Sequence, residues 1–365
     1  MILIEGVKVL KNILFCGGGT LGHIYPLVSV VRELKTMGYI LYFIGTTNGL
    51  EKSYLEDKDL FIKEYYLDSE GIKRSISLKN IRAIYKHLKN IRVSKRILKE
   101  LKIDLVIGMG GYISGSIIQS ALKLKLKTMI HEQNSVYGLA NRLVHKKVDK
   151  VMLSFPIDDA KNTCVVGNPR ITEIYELFKN NNNYNKGNYV LVVGGSRGAK
   201  RINEMVISLK DQFINSNINC LLITGKKYYN ENKEKLEEIS EEKFKIIDFS
   251  NDLPNLLIEA KLVLSRSGAS TLSEILALRK VNLLIPSPNV TNNHQEKNAM
   301  EIVKMGCGVM LKESGLSNEK LFDTIHKLFF DKRLRSSIVN NIIFNVPLDA
   351  KDKFIGQVLG LLNRK

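Results

Sequence analysis

The feature that most constrains this chain is a strand, glycine loop and helix that occur together twice. Residues 12–16 form an apolar, β-prone run, followed by the glycine loop 17–22 and a helical pattern reaching about residue 37. Residues 189–193 restart the arrangement, with a glycine turn at 194–198 and a helix over 199–209. Further short apolar runs at 39–44, 104–107, 127–130, 150–153 and 164–166, then at 220–224, 244–248, 262–265 and 282–285, alternate with helical stretches. Such alternation specifies parallel α/β units. The uncharged run 105–122 is about long enough to span a bilayer. Its glycines Gly108, Gly110, Gly111 and Gly115 fit a strand, a turn and a helix start instead. Two like halves predict two Rossmann-like domains facing a cleft, and 365 residues suffice for both. The expected boundaries are 1–168, an asparagine-rich linker region 169–188, a second domain 189–345, and a C-terminal helix 346–365 crossing back to the first domain.

Charge narrows the partners. Lys and Arg number 55 against 37 Asp and Glu, a net +18 that attracts polyanions. The surplus concentrates in residues 73–102, where eleven Lys/Arg face a single acid, Glu100. There Ile81, Ile84, Leu88 and Ile91, joined by Tyr85, share one helical face. This basic amphipathic helix either lies on an anionic membrane surface or packs its apolar face on the sheet with its charges solvated. No helix-turn-helix, zinc-finger or RNP pattern accompanies it, so nucleic acid is not expected as a partner. The four cysteines form no C-x-x-C pair or zinc spacing and read as free thiols of a reducing compartment. The apolar start, residues 1–15, is broken by Glu5, Lys8 and Lys11 without a cleavage site, so no export signal is expected. Asp57-Lys58-Asp59 matches a metal-binding D-x-D, but the stretch 51–59 reads as a solvated charged surface.

The loop Gly17-Gly18-Gly19-Thr20-Leu21-Gly22-His23 admits close backbone approach and presents a helix N-terminus, a combination suited to a phosphate. It matches G-x-G-x-x-G, whose nicotinamide reading requires an acid at the end of the second strand. Gly45, Thr46 and Thr47 occupy that place and the first acid is Glu51, so the dehydrogenase reading loses its ribose contact. No G-K-[ST] follows, which removes the P-loop reading. His23 at the loop–helix junction suits phosphate orientation or general-base work. In the second half, Ser196 and its neighbouring N–H groups offer a diphosphate contact. Residues 266–274 place hydroxyls at a helix start, with Glu274 either on a ribose or closing a capping box.

In this order the pieces resemble the MurG family of peptidoglycan N-acetylglucosaminyltransferases, from about residue 12 to the C-terminal helix. The segments that carry the likeness are GGGTLGHIYP, GMGGYISG, HEQNSVYGLAN, VVGNPR, VVGGSRGA, SRSGASTLSEI and NNHQEKNA. The resemblance implies a GT-B fold and inverting transfer of GlcNAc from UDP-GlcNAc to lipid I, with no cofactor or metal required. It implies a peripheral enzyme on the cytoplasmic face of the cell membrane, serving wall synthesis and with it cell shape and division. It places Thr20, Leu21, Gly22, Asn134, Arg170, Ser196, Ser250, Gln295 and His294 on the donor. Ala269, Ser270, Thr271, Leu272, Ser273 and Glu274 form the diphosphate and ribose loop. Gly18, Gly19, Gly110, Gly111 and Tyr112 face the acceptor. His23 is the expected base and Glu132 the alternative. Another GT-B enzyme acting on a lipid such as diacylglycerol, or a non-catalytic UDP-sugar binder, remains open at this point.

Overall fold

The apolar runs pair side by side in parallel, as the alternation predicts. The computed structural model describes residues 11–71, 78–158, 160–181, 187–194, 198–250 and 252–364. These divide into two units, one reaching Pro169 and resuming at Ala350, the other Arg170–Asp349. The chain runs β1 (Asn12–Cys16), α1 (Leu21–Thr36), β2 (Ile40–Thr46), α2 (Leu50–Leu55), β3 (Lys63–Leu67), α3 (Leu78–Glu100), β4 (Leu105–Gly108), α4 (Tyr112–Lys123), β5 (Lys127–Glu132), α5 (Leu139–Val144), β6 (Lys150–Leu153), β7 (Thr163–Val165) and α6 (Pro169–Phe178). It continues through β8 (Tyr189–Val193), α7 (Lys200–Ser208), α8 (Lys210–Asn215), β9 (Asn219–Ile223), α9 (Lys226–Glu231), α10 (Lys233–Ile239), β10 (Phe244–Ile247), α11 (Leu253–Glu259), β11 (Leu262–Ser265) and α12 (Ala269–Ala277). It ends with β12 (Asn282–Leu284), α13 (His294–Lys304), β13 (Val309–Met310), α14 (Asn318–Phe330), α15 (Lys332–Asn345) and α16 (Ala350–Leu362).

The first unit's sheet has the order β3-β2-β1-β4-β5-β6-β7 and the second unit's β10-β9-β8-β11-β12-β13. Both are doubly wound Rossmann orders. In β1, Ile13 and Phe15 pack with α1 and α16, while Leu14 and Cys16 pack with α4 and the end of α3. A strand apolar on both faces belongs to a sheet covered on both sides. Ion pairing of Lys351 with Glu33, 3.0 Å, adds to the seat of α16 on α1.

Three expectations change. Residues 169–178 are helical, not linker: Pro169 starts the helix where no N–H is needed, and Ile171 and Ile174 are buried. Strand β3 was not anticipated, because Lys63 and Glu64 on a half-exposed edge strand break the apolar signal. Helix α3 does not pack its first apolar residues inward. Ile81, Ile84, Tyr85 and Leu88 are exposed, while Ala83, Lys86, Asn90, Ile91, Ser94, Ile97 and Leu98 are buried. The inward face is fixed by polar groups: Lys86 pairs with Asp68 at 2.7 Å and with Glu70, and the Asn90 side-chain amide donates to the Asp68 carbonyl at 2.9 Å. No helix among the described residues is long and apolar enough to cross a membrane.

Candidate active site

In a doubly wound sheet, ligands gather beyond the carboxyl ends of the strands where the order reverses. In the first unit that place is between β1 and β4, and the loops leaving them touch. A Cβ on Gly111, whose φ is +84°, would lie 2.3 Å from the Gly18 carbonyl oxygen. A Cβ on Gly110, φ +107°, would lie 2.4 Å from His23 Cδ2 and 2.8 Å from its Nε2. Only glycines allow the two loops and the imidazole to stack so closely. His23 Nδ1 stands 3.1 Å from Thr20 Oγ1. Tyr112, at the start of α4, is 45% exposed and its ring lies against Gly71.

Two ionisable groups lie buried at β5. Burial pushes the His131 imidazole down to about 4, so it is neutral, and its Nε2 meets Ser154 Oγ at 3.1 Å. Glu132 is buried, which raises its carboxyl above the usual range. Its Oε1 accepts from the Asn134 backbone N–H and side-chain amide, both at 3.1 Å. Its Oε2 accepts from the Gly138 N–H and the Asn141 amide, both at 2.9 Å. With both oxygens accepting these bonds, Glu132 shapes the loop that carries Asn134.

The loop 17–22 carries a correction. Glu51, expected on a solvated surface, has no exposure at all, and its Oε2 accepts from the Gly19 N–H at 3.1 Å. That N–H therefore points inward instead of toward an acceptor anion. Asp57 and Asp59 are exposed as expected, and Asp59 pairs with Lys35 at 2.9 Å. Among the described residues, no group of three His, Cys, Asp or Glu is placed to hold a metal.

In the second unit the order reverses between β8 and β11. After β8, a Cβ on Gly194 would lie 2.6 Å from the Ala199 nitrogen. Ser196, with residues 195–197, lies outside the described residues. After β11, Gly268 caps α12 without a side-chain hydrogen bond, and the Ser273 hydroxyl donates back to the Ala269 carbonyl at 2.7 Å. The capping-box alternative is not realised. The first N–H groups of α12 remain as anion donors beside half-buried Ser270 and Thr271. Leu272 is buried and can offer only backbone.

Glu274, buried one turn into α12, meets Arg170: Nη2 lies 3.0 Å and Nε 3.3 Å from Oε1. Arg170 Nη1 bonds Glu173 at 2.9 Å. Burial raises the Glu274 carboxyl and the guanidinium opposes that rise. Arg170 was expected to meet the donor directly; its fork here orients two carboxylates.

Gln295 and the α12 loop are tied together. Ser267 Oγ donates to the Gln295 carbonyl at 2.8 Å, and Gln295 Oε1 accepts from the Ser287 N–H at 2.9 Å. His294 Nδ1 lies 2.8 Å from the Thr291 carbonyl, which makes Nδ1 the donor. After β10, Ser250 Oγ accepts from the Asp252 N–H at 3.0 Å, beside Phe249, whose half-exposed ring lies 5.0 Å below Lys226 Nζ.

Domain models place this arrangement among known proteins. Residues 13–153 match the glycosyltransferase family 28 N-terminal domain and residues 189–342 its C-terminal domain. The chain is 39% identical over 332 residues to a UDP-N-acetylglucosamine–N-acetylmuramyl-(pentapeptide) pyrophosphoryl-undecaprenol N-acetylglucosamine transferase of Bacillus cereus, covering 88% of this chain and 91% of that one. It is 35% identical over 369 residues to the enzyme so named in Exiguobacterium sibiricum, covering 97% and 100%. The chain belongs to the MurG family. The crystal structure of Acinetobacter baumannii MurG shares the fold with a TM-score of 0.76 at 22% identity, covering 96% of this chain and 99% of that one. The fold is GT-B, and a UDP-N-acetylglucosamine 2-epimerase shares it with a TM-score of 0.67 at 13% identity, covering 97% and 96%.

Within this MurG-family chain, the residues that sequence reasoning missed are supporting ones. Glu51, Glu173 and Asn298 hold a loop or a charge in place, Asn298 by donating to the Ser267 carbonyl at 3.2 Å. The available signal for Glu51 was its place in the first turn of α2, preceded by Gly45 and Gly49.

Proposed function

We propose that this chain transfers GlcNAc from UDP-GlcNAc to the C4 hydroxyl of the muramyl sugar in undecaprenyl-pyrophosphoryl-MurNAc-pentapeptide (lipid I), giving lipid II and UDP in peptidoglycan synthesis. The observation that carries it is the uncapped start of α12 with buried Glu274 one turn in, on a chain 35–39% identical to transferases of that name. Those N–H groups, with Ser270 and Thr271, suit a diphosphate, and Glu274, steadied by Arg170, suits the ribose hydroxyls. Gln295, with His294, is the reading for the sugar hydroxyls, and Ser250 and its neighbours for the uracil.

The chemistry is one displacement. The acceptor oxygen bonds the anomeric carbon, the bond to UDP breaks with its electron pair, and His23 takes the hydroxyl proton. Stacked on Gly110 and beside Thr20, His23 is placed for this task, which contributes about 10²- to 10⁴-fold when done well. Charge on the leaving UDP is met by the α12 N-terminus and hydroxyls in place of a metal cofactor. Transfer that persists in excess chelator is the expected outcome.

The acceptor is a membrane lipid, and α3 suits an anionic membrane surface. Ile81, Ile84, Tyr85 and Leu88 face outward with Arg82, Lys89, Arg92 and Arg96 exposed on the same helix. Each basic residue near such a surface contributes about 1 kcal/mol. Lys86, buried and paired, does not belong to that face. Changing Ile84 and Leu88 to Ser should lower binding to phosphatidylglycerol liposomes while sparing UDP-GlcNAc affinity.

The test of the reaction is UDP release from purified protein given UDP-GlcNAc and a lipid I analogue. UDP-GalNAc and diacylglycerol replace donor and acceptor in parallel. Turnover on diacylglycerol but not on the analogue would move the chain to the lipid-glycosyltransferase alternative. UDP-GlcNAc binding without turnover on either would leave a sugar-nucleotide binder.

A further inference from the structure

We propose that Glu51 is the positioning residue of the acceptor loop: its buried carboxylate fixes the course of residues 17–20, against which Gly110, Gly111 and His23 stack. The inference rests on the reading of that loop as the acceptor side of a transferase.

A carboxylate without exposure to water is costly unless hydrogen bonds replace the water. Glu51 has them. Oε2 accepts from the Gly19 N–H at 3.1 Å, and Oε1 accepts from the Thr46 N–H at 2.8 Å and from the Thr46 hydroxyl. The enclosure is built from glycines of two segments, the loop after β1 and the β2–α2 stretch. A Cβ on Gly18 would lie 2.1 Å from Oε1, one on Gly49 2.0 Å from Oε2, and one on Gly45 3.1 Å from Cγ. Side chains at these places would expel the acid.

The connection to the reacting groups is direct packing. Gly18, which walls the carboxylate, presents its carbonyl to Gly111, and the adjoining Gly110 carries the His23 ring. Shifting Gly18–Gly19 therefore shifts the floor on which the base rests. The Gly19 N–H is turned inward to meet the acid, so Glu51 shapes the loop from beneath.

The test uses Glu51→Gln, which keeps the volume but cannot accept at both ends, and Gly18→Ala, which presses a methyl on the carboxylate. Three readouts are taken on the full chain: amide hydrogen exchange of residues 17–20, UDP-GlcNAc affinity by calorimetry, and kcat/KM for a lipid I analogue. Both variants should speed exchange at Gly19 at least tenfold and leave UDP-GlcNAc affinity within twofold. Both should lower kcat/KM for the acceptor about 10- to 100-fold, the value of a hydrogen bond to a charged group. Unchanged exchange at Gly19 in both variants overturns the proposal, and so does acceptor kinetics equal to wild type. An equal loss in donor affinity would mean general unfolding and overturns it too. If the wild type transfers nothing to the analogue, the functional reading fails, and the exchange measurement still decides whether Glu51 fixes the loop.

Discussion

The two units each place a buried glutamate beside a glycine loop at the reversal of the sheet, and they use it in opposite ways. Glu51 spends its oxygens on the backbone of its own loop region, through Gly19 and Thr46. Glu274 meets a guanidinium, Arg170, and α12 begins without a side-chain cap. One acid stiffens a wall; the other is a charged group held ready near N–H donors. Both helices that follow, α1 and α12, begin without a side-chain cap, so the two units differ in what their buried acid holds: backbone in one, a guanidinium in the other.

The largest effect that tests this contrast is on His23. Replacing it with Ala should lower kcat about 10²- to 10⁴-fold with UDP-GlcNAc affinity unchanged, as single-turnover rates and calorimetry would reveal. A loss confined to donor affinity would put His23 on the wrong side of the comparison. Next comes Arg170→Ala, which leaves Glu274 buried without its partner. Breaking such a pair costs about 3–5 kcal/mol, read as a lower urea midpoint. An unchanged midpoint would show that the fork does not hold Glu274.

A smaller effect follows from Glu274→Gln, which keeps the shape and removes the charge. The KM for UDP-GlcNAc should rise about 10- to 100-fold while the KM for the acceptor stays. A wild-type KM for the donor would displace the ribose from this glutamate.

The smallest effect on the site concerns another buried ionisable group, Lys280, 1% exposed in the second unit. Burial lowers its amine from 10.5 to about 7. Between those values the unfolded chain binds a proton that the folded chain does not. Stability therefore rises with pH from about 7 to 10.5 and is lowest below 7. Lys280→Met should flatten that dependence and raise stability at pH 7. Thermal melts across pH 6–10 would check it; a curve parallel to wild type counts against it.

Much of the fold was legible because its strands are apolar on both faces and its turns are marked by glycine. The runs 12–16 and 189–193 needed nothing more. What stayed hidden depends on contacts distant in sequence. The outward set of Ile81, Ile84 and Tyr85 could not be read from helical period, which gives one apolar face but not its direction. The inward face is the one that buries Ala83, Ile91, Ile97 and Leu98, with Lys86 held by Asp68 and Glu70. The candidate residues His23 and Glu274 stood out through motif position. The inward turn of the Gly19 N–H, and the sharing of Arg170 by two carboxylates, arise only when separate segments fold together.

The glycine enclosure of Glu51 also bears on how such a chain can diverge. Alanine at 18 or 49 demands a shorter acid, and a shorter acid releases Gly19. No single step along that route keeps the wall intact, so a change at one of these positions calls for a compensating change at another.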